Sequence, residues 1–241
     1  MKKIIISILL CLSPALFAQH PYEFLWSSIL AKNVTPGSRN KIELNLVNYP
    51  AISERQNFNN LVRVVSQIDT GKIKSDAERK AFWINLYNIA VVKMVIDNPF
   101  IKDSRSIAWD LPAITLGGKS YSLNQIQNDQ LWQFGDPRVL FALSRGSVSG
   151  PDLRAEAYTA EKLDQQLDEQ TQRFLVGSGK GVFIEKGTKT AYVSAIFNWY
   201  KRDFDTEGGV AEFIKKYSAT DIRSYKLAYL YYDGGLNSIY R

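Results

Sequence analysis

The chain of 241 residues has almost none of the side chains that most often act as nucleophile or base. It contains one cysteine, Cys11, and one histidine, His20, and both lie close to the N-terminus. The sequence beyond Cys11 therefore offers no disulfide, no thiolate nucleophile and no cysteine-based metal site. His20 falls near the predicted start of the mature chain, where residues are commonly mobile, so its imidazole is not favoured as a catalytic base.

The sequence also lacks the motifs that bind metals, nucleotides or nucleic acids. No HExxH, EF-hand, P-loop or GxGxxG pattern is present, so no metal and no cofactor is predicted. The net charge of +6 comes from 30 Lys and Arg against 24 Asp and Glu, without a long run of like charges. A solvated surface explains this mild excess, and no nucleic-acid partner is predicted.

Residues 1–18 have the pattern of a secretory signal peptide. Lys2 and Lys3 precede a short apolar run, and residues 15–18, which read ALFA, end in the small residue Ala18 and offer a cleavage site. The apolar run is too short to span a bilayer. We therefore expect residues 19–241 to form one exported domain, periplasmic or extracellular, with no transmembrane segment after cleavage.

Hydrophobic periodicity and turn signals predict helices mixed with hairpins. Helices are predicted over residues 22–32, 55–69, 75–97, 122–132, 159–176, 194–200 and 210–217, with hairpins over 114–123 and 182–193, a turn at 35–38 and a last strand at 227–232. Capping boxes are predicted where Ser75 precedes Glu78 and where Ser122 precedes Gln125. The irregular alternation favours a single α+β domain over a doubly wound parallel sheet.

The helix over residues 75–97 is apolar on nearly every face, which is typical of a helix in the centre of a domain. Asn85 and Asn88 should then be at least partly buried, and their amides need hydrogen-bond partners. They could orient residues of a site, or they could fix the backbone of a neighbouring loop. The second interpretation is favoured because most side-chain hydrogen bonds go to backbone or water.

Four strings resemble the patterns of one bacterial family. Residues 81–88 read AFWINLYN, residues 136–153 read DPRVLFALSRGSVSGPDL, residues 196–204 read IFNWYKRDF and residues 232–237 read YDGGLN. They are similar to the strings AFWINxYN, DPRxHFALNCGSxSCPPL, IFxWYxxDF and YDWSLN of the domain-of-unknown-function 547 family. The resemblance covers most of the mature chain. It implies an α+β fold of papain-like type and a thiol-hydrolase-like ancestry.

The chain departs from the family pattern at the positions that carry the chemistry. Leu140 stands where the family has His, and Arg145 and Gly150 stand where it has Cys. Ser144 replaces an Asn, and Asp152 replaces the second Pro. The resemblance thus implies a site that has lost its thiol and imidazole groups.

Three serine hydroxyls lie in the same segment, those of Ser144, Ser147 and Ser149. Residues 146–150 read GSVSG, with Val148 at the centre. The spacing therefore does not match the G-x-S-x-G pattern of serine hydrolases, which has Ser at that position. A serine nucleophile also needs a base, and the mature core has no imidazole. Carboxylates could act as acid or base instead, although Asp more often forms turns and caps. The candidates by position are Asp136, Asp152, Glu156 and Asp233.

Arg145 carries the sharpest functional hypothesis. A guanidinium in place of a thiol would attract a carboxylate or phosphate, preferably through two parallel hydrogen bonds. The competing interpretation is an ion pair with a local acid such as Asp152 or Glu156. That interpretation is favoured from sequence because arginine is mostly exposed or paired.

The sequence therefore favours an exported, non-catalytic binding protein, a pseudoenzyme that holds a protein, peptide or glycan partner. An anionic group would bind at Arg145. Two alternatives stay open: a hydrolase or transferase using serine or carboxylate chemistry, and an accessory or scaffold protein of secretion or the envelope. The residues predicted to line or support the binding site are Asn85, Asn88, Leu140, Ser144, Arg145, Ser147, Ser149, Gly150 and Asp152.

Overall fold

The longest helix lies at the centre of the core, as its composition predicts. In the computed structural model, which describes residues 20–54 and 56–240, this helix spans Asp76–Asp97 and every residue from 81 to 92 is buried. Its first turn is closed by the predicted reciprocal bonds, because the Ser75 hydroxyl accepts from the Glu78 amide and the Glu78 carboxylate accepts from the Ser75 amide, each at 3.1 Å. The predicted signal peptide lies outside the described residues.

Helices supply most of the regular structure. The described α-helices are α1 (Pro21–Asn33), α2 (Tyr49–Ser53), α3 (Gln56–Ser66), α4 (Asp76–Asp97), α5 (Leu123–Gln125), α6 (Val139–Ala142), α7 (Leu163–Leu175), α8 (Ile196–Trp199) and α9 (Val210–Ser218). Short 3-10 turns occupy Thr70–Lys72, Ser104–Ser106, Trp132–Phe134 and Lys201–Glu207. The helix predicted over 122–132 starts with the predicted capping box, but it continues as a π-helix over Ile126–Leu131. In the described part, no helix is both long and apolar enough to cross a membrane.

The strands form small separate sheets. They are β1 (Val34–Arg39), β2 (Ile42–Val47), β3 (Pro112–Leu116), β4 (Lys119–Ser122), β5 (Val182–Glu185), β6 (Thr190–Val193) and β7 (Lys226–Tyr229). The pairs β1–β2, β3–β4 and β5–β6 are antiparallel, whereas β7 adds to β6 in parallel. The α+β class is thereby confirmed, as are both predicted hairpins.

The predicted turn at residues 35–38 is wrong, because these residues lie within β1. The chain reverses instead at Asn40 and Lys41, whose φ angles of 52° and 65° are left-handed. Gly37 serves the strand by close packing, since a Cβ there would lie 2.5 Å from a methyl carbon of Leu46 on the paired strand. Pro36 and Gly37 favour a turn by local preference, whereas packing against the paired strand keeps them in β1.

Two hydrophobic clusters meet at α6. Val139 and Ala142 belong to the larger cluster around α4, whereas Leu140 and Phe141 belong to a second cluster. The Phe141 ring contacts four other phenylalanine rings of that second cluster, those of Phe174, Phe197, Phe204 and Phe213. Packing against both clusters therefore fixes the position of α6, from which the segment that carries Arg145 begins.

The C-terminal segment after β7 lies against three distant parts of the chain. Leu236 bridges to Ser147, Gly235 bridges to Asp103, and Ser238 bridges to Val47. The predicted last strand is accordingly shorter than expected, since the chain leaves β6 after Leu230, whose amide still donates to the Val193 carbonyl, and then makes these contacts. This path brings Tyr232 to the segment that resembles the family signature.

Candidate functional site

Asn88 fixes the backbone that leads to Arg145. Its amide nitrogen donates to the carbonyl of Ala142 at 3.0 Å, and its amide oxygen accepts from the Ser144 amide at 2.9 Å. Gly146 then turns the chain with a left-handed φ of 64°, and its carbonyl accepts from the Asn237 amide at 3.0 Å. The interpretation that Asn88 holds a loop backbone is confirmed, and this loop is the one that carries the candidate site.

Asn85, one turn earlier on α4, makes the same kind of contact with a different segment. Its side chain donates to the Tyr158 carbonyl at 2.7 Å and accepts from the Tyr158 amide at 3.0 Å. Both Asn85 and Asn88 are buried, and each pairs with backbone at both ends of its amide. Asn85 thus stabilises the segment before α7, and its described hydrogen bonds contact no group around Arg145.

The Arg145 side chain lies among aromatic rings. Its Nη2 donates to the Tyr200 hydroxyl and to Oε1 of Gln127 at 3.3 Å. The guanidinium carbon lies 5.5 Å from the centre of the Trp109 ring and 5.4 Å from that of Tyr200, which is within cation–π range. The side chain is largely buried, yet part of it reaches solvent. We call Arg145 together with Gln127, Trp109 and Tyr200 the arginine site.

No carboxylate of residues 20–54 or 56–240 forms an ion pair with Arg145. Asp152 pairs with Lys180 and Arg173, and Glu156 pairs with Arg154. The predicted pairing of Arg145 with one of these acids is therefore wrong. Sequence proximity suggested it, but both acids are already engaged by other cations. Arg145 keeps a positive charge whose described contacts are all neutral groups.

A second group of contacts lies directly beside Arg145. The Ser147 hydroxyl and the Tyr232 hydroxyl lie 2.6 Å apart, and the Trp199 ring centre is 4.8 Å from that of Tyr232. Burial raises the pKa of Tyr232, although the Ser147 hydroxyl and the Arg145 charge both oppose that rise. Ser147 itself is buried, whereas Trp199 is half exposed. The exposed edge of this group is therefore aromatic.

Gly150 connects these two groups. A Cβ at position 150 would lie 3.3 Å from the Cβ of Arg145, 3.1 Å from the Tyr232 hydroxyl and 2.5 Å from Oγ of Ser147. The two positions at which the family pattern has Cys are therefore neighbours in space. Disulfides usually separate Cβ atoms by about 3.5 to 4.5 Å, so cysteines here would need only a small shift to form one.

The positive charge of Arg145 affects the pKa of Tyr87 on α4. Burial raises the pKa of Tyr87 to about 12, and the Arg145 charge opposes the rise. Among the described residues, the buried Tyr87 hydroxyl has no hydrogen-bond partner. A buried polar atom without a partner is costly, so the Tyr87 hydroxyl is a polar group that the described residues leave without a hydrogen bond.

Asp152 belongs to a different, structural cluster. Its carboxylate accepts from Nζ of Lys180 at 2.7 Å, from the Asn45 amide at 3.0 Å and from Nε of Arg173 at 3.2 Å. The Lys180 and Asp152 side chains are only 1% and 5% exposed. Burial lowers the pKa of Lys180, and Asp152 opposes that shift. These contacts join β2 to α7, so Asp152 holds the fold together.

The remaining candidates make their described contacts with groups other than the Arg145 guanidinium. Leu140 is buried in the second cluster and lines a cavity of about 180 Å³ with Trp132 and Asp203.

The Ser149 hydroxyl accepts from the Asp233 amide at 2.9 Å, and the Ser149 amide donates to the Asp233 carbonyl at 3.0 Å. Ser144 is buried and has its amide bound by Asn88. The structure brings together Arg145, Ser147 and Gly150 from the predicted set.

Sequence reasoning missed most of the groups that surround Arg145. Tyr87, Tyr200 and Tyr232 stand inside three of the strings that carry the family resemblance, so those strings were an available signal. Gln127 and Trp109 lie outside the strings, and nothing in their local pattern distinguishes them. In the described part, no cluster of His, Cys, Asp and Glu is arranged to hold a metal ion.

A family model described as "Protein of unknown function, DUF547" matches residues 72–175. The match supports this domain family for a segment that includes α4, α6 and the loop that carries Arg145. No curated protein and no solved structure gives a match to the chain. The family description names no activity.

Proposed function

We propose that this chain is an exported binding protein without thiol catalysis, and that Arg145 contacts an anionic group of its ligand. The observation that carries the proposal is the environment of that side chain. A largely buried guanidinium lies between two aromatic rings, and no described carboxylate neutralises it. The partner would be a protein, a peptide or a glycan that presents a carboxylate or a phosphate.

The energetics of burial support this proposal. Moving a charge out of water costs several kcal/mol unless an opposite charge or strong hydrogen bonds compensate. Arg145 has five N–H donors, and the described contacts use one nitrogen, Nη2. An anion could accept from the remaining donors, and charge-assisted bonds of this kind are stronger than neutral ones.

The aromatic side chains beside Arg145 suit a ligand with a flat apolar face. Trp199 is half exposed and contacts Tyr232, while Trp109 and Tyr200 flank the guanidinium. Aromatic rings combine a large contact area with defined packing geometry. A sugar acid or an acidic peptide would place its anion on Arg145 and a ring or side chain on these aromatic groups.

The geometry gives little support to the hydrolase alternative. The candidate serine nucleophile beside the arginine site is Ser147, whose hydroxyl is buried and bonded to that of Tyr232. Burial raises the pKa of Tyr232, so this phenol stays protonated at neutral pH and is a poor general base. We therefore propose binding at this site and no acyl transfer.

Titration of tryptophan fluorescence tests the proposal directly, because Trp109 and Trp199 flank the site. The probes are sulfate, acetate and glucuronate, with glucose as the neutral counterpart of glucuronate. Wild type should bind the anions more tightly than glucose. Arg145→Ala should weaken anion binding about tenfold or more, which matches the roughly 1.5 to 3 kcal/mol of a charged hydrogen bond.

Two further variants complete the test. Arg145→Lys should recover only part of the affinity, because an ammonium cannot form the two parallel bonds of a guanidinium. Arg202→Ala removes an exposed arginine close in sequence to Tyr200 and should leave affinity unchanged. Equal affinities for wild type and Arg145→Ala, or no saturable binding of any of these anions, would overturn the proposed site.

The pH dependence of sulfate binding adds an independent check. Affinity should stay constant between about pH 6 and pH 9, because the guanidinium remains protonated. Burial raises the pKa of both Tyr87 and Tyr232, so neither phenol should ionise in this range. A steep loss of affinity within the range would point to a titrating group other than Arg145.

Export is tested by the mass of the chain recovered outside the cytoplasm. Cleavage near residue 18 should yield a protein that begins at about residue 19. Recovery of a chain that retains Met1 would contradict the proposed processing.

A further inference from the structure

A second cleft lies on a part of the molecule that the arginine site does not use. It has a volume of about 330 Å³ and lies between α2, the C-terminal end of α4 and the C-terminal segment. Its apolar lining includes Pro50, Val95, Ile96, Pro99, Ile101 and Leu236. This volume falls at the lower end of the roughly 300 to 1,000 Å³ found for small-molecule sites. We call it the apolar cleft.

The charged lining of the apolar cleft is of one sign. Arg39 and Lys102 line it, and no Asp or Glu is among its described lining residues. Arg39 donates from Nη1 to the Leu236 carbonyl and from Nη2 to the Ser238 carbonyl, both at 2.6 Å. These two bonds fix the guanidinium at the cleft. Neither cation forms an ion pair with a carboxylate of residues 20–54 or 56–240.

We propose that the apolar cleft binds a small amphipathic anion, namely a fatty acid of medium chain length. The apolar walls would cover the hydrocarbon chain, and Lys102 and Arg39 would attract the carboxylate. The preoriented guanidinium keeps donors that its two carbonyl partners leave unused. A neutral lipid would leave both cations unmatched, and a cationic one would be repelled.

This site is independent of the arginine site. The two share no lining residue, although the C-terminal segment contacts both through Tyr232 and Leu236. A failure of anion binding at Arg145 would therefore leave this proposal unaffected.

Calorimetric titration with hexanoate, octanoate and decanoate tests the chemistry of the ligand. Affinity should rise roughly fourfold for each added methylene until the cleft is filled, because each buried CH₂ contributes a similar transfer free energy. Octanol has the same chain without the charge and should bind more weakly than octanoate. Octyltrimethylammonium should bind more weakly still.

Variants locate the binding. Lys102→Gln removes an exposed charge and should weaken octanoate binding several-fold while leaving octanol binding unchanged. Ser53→Trp places a large ring at the exposed rim of the cleft and should weaken both. Lys186→Gln, on the exposed loop between β5 and β6, is the matched control and should change neither.

The outcomes separate this site from the arginine site. Octanoate binding that survives Ser53→Trp but is lost in Arg145→Ala would assign the carboxylate to Arg145 and overturn the proposal. Absence of saturable octanoate binding to wild type would overturn it as well, and so would equal affinity for octanoate and octyltrimethylammonium.

Discussion

Asp152 and Arg145 lie seven residues apart in one segment, and they differ in whether an opposite charge pairs with them. The Asp152 carboxylate is buried and receives two cations and a backbone amide. The Arg145 guanidinium is largely buried and receives only neutral groups. A fully paired buried charge is expected where it stabilises the fold. A buried charge without its counterion lowers stability, and the proposed binding role of Arg145 would account for that cost.

The two asparagines of α4 differ in the segment of backbone that each one fixes. Asn85 and Asn88 make equivalent pairs of hydrogen bonds to backbone. Only Asn88 fixes the loop that carries Arg145. Stability alone cannot distinguish their roles, but ligand binding can.

The largest effect is expected at the paired charge. Asp152→Asn leaves Lys180 buried without a counterion and should lower the free energy of unfolding by about 3 to 5 kcal/mol, as for other broken buried pairs. Asp164→Asn, which alters an acid that is 83% exposed and paired with Arg138, should cost less than about 1 kcal/mol. Urea unfolding of both variants measures the difference. Similar losses in the two would contradict a structural role specific to Asp152.

A smaller loss of stability is expected at the asparagines. Asn85→Ala and Asn88→Ala should each cost roughly 2 to 3 kcal/mol, because each leaves a buried backbone donor and acceptor unpaired. Sulfate affinity should fall only in Asn88→Ala, since that change loosens the loop before Arg145. Unfolding and titration on the same samples provide both numbers. Equal loss of affinity in the two variants would remove the distinction.

The neighbouring positions 145 and 150 allow a test of the family comparison. Arg145→Cys with Gly150→Cys, combined with Ser147→Ala to make room, should form a disulfide on oxidation. Closing so short a loop should stabilise the oxidised form over the reduced form by about 2 kcal/mol. Urea unfolding with and without reductant measures the difference.

The control for this bridge moves one cysteine by one residue. Arg145→Cys with Ser149→Cys should stay reduced, because the Ser149 side chain is directed to the Asp233 amide. Failure of the first pair to oxidise, or oxidation of both pairs, would contradict the geometry. If the first bridge forms, the two cysteines of the family pattern could be joined as a structural disulfide. That interpretation would then stand beside the one in which a cysteine acts as a nucleophile.

Local signals in the sequence sufficed for most of the secondary structure. The α4 helix, both capping boxes and both predicted hairpins depend on neighbouring residues, and all were predicted. The β1–β2 hairpin was missed because its strand contains Pro36 and Gly37, which are turn formers by local preference. Packing of Leu46 on Gly37 decides the outcome, and that contact is not visible in a local window.

The candidate site was predicted only in outline. Residues 145, 147 and 150 were identified through the family pattern, and they do lie together. Their partners are residues 109, 127 and 200, which contact Arg145, and residue 232, which contacts Ser147, and all of these contacts join distant parts of the chain. For the same reason, the pairing of Asp152 with Lys180 could not be inferred, and a local partner was assigned to Arg145 instead.

The most direct test of the contrast replaces Arg145 by an uncharged side chain of similar length. Arg145→Met should change the free energy of unfolding by less than about 1 kcal/mol, or raise it, because apolar replacements of buried charges are often neutral or stabilising. The same variant should bind sulfate about tenfold more weakly or worse. A loss of about 3 kcal/mol or more, with sulfate affinity unchanged, would show that Arg145 stabilises the fold as Asp152 does and would contradict a binding role.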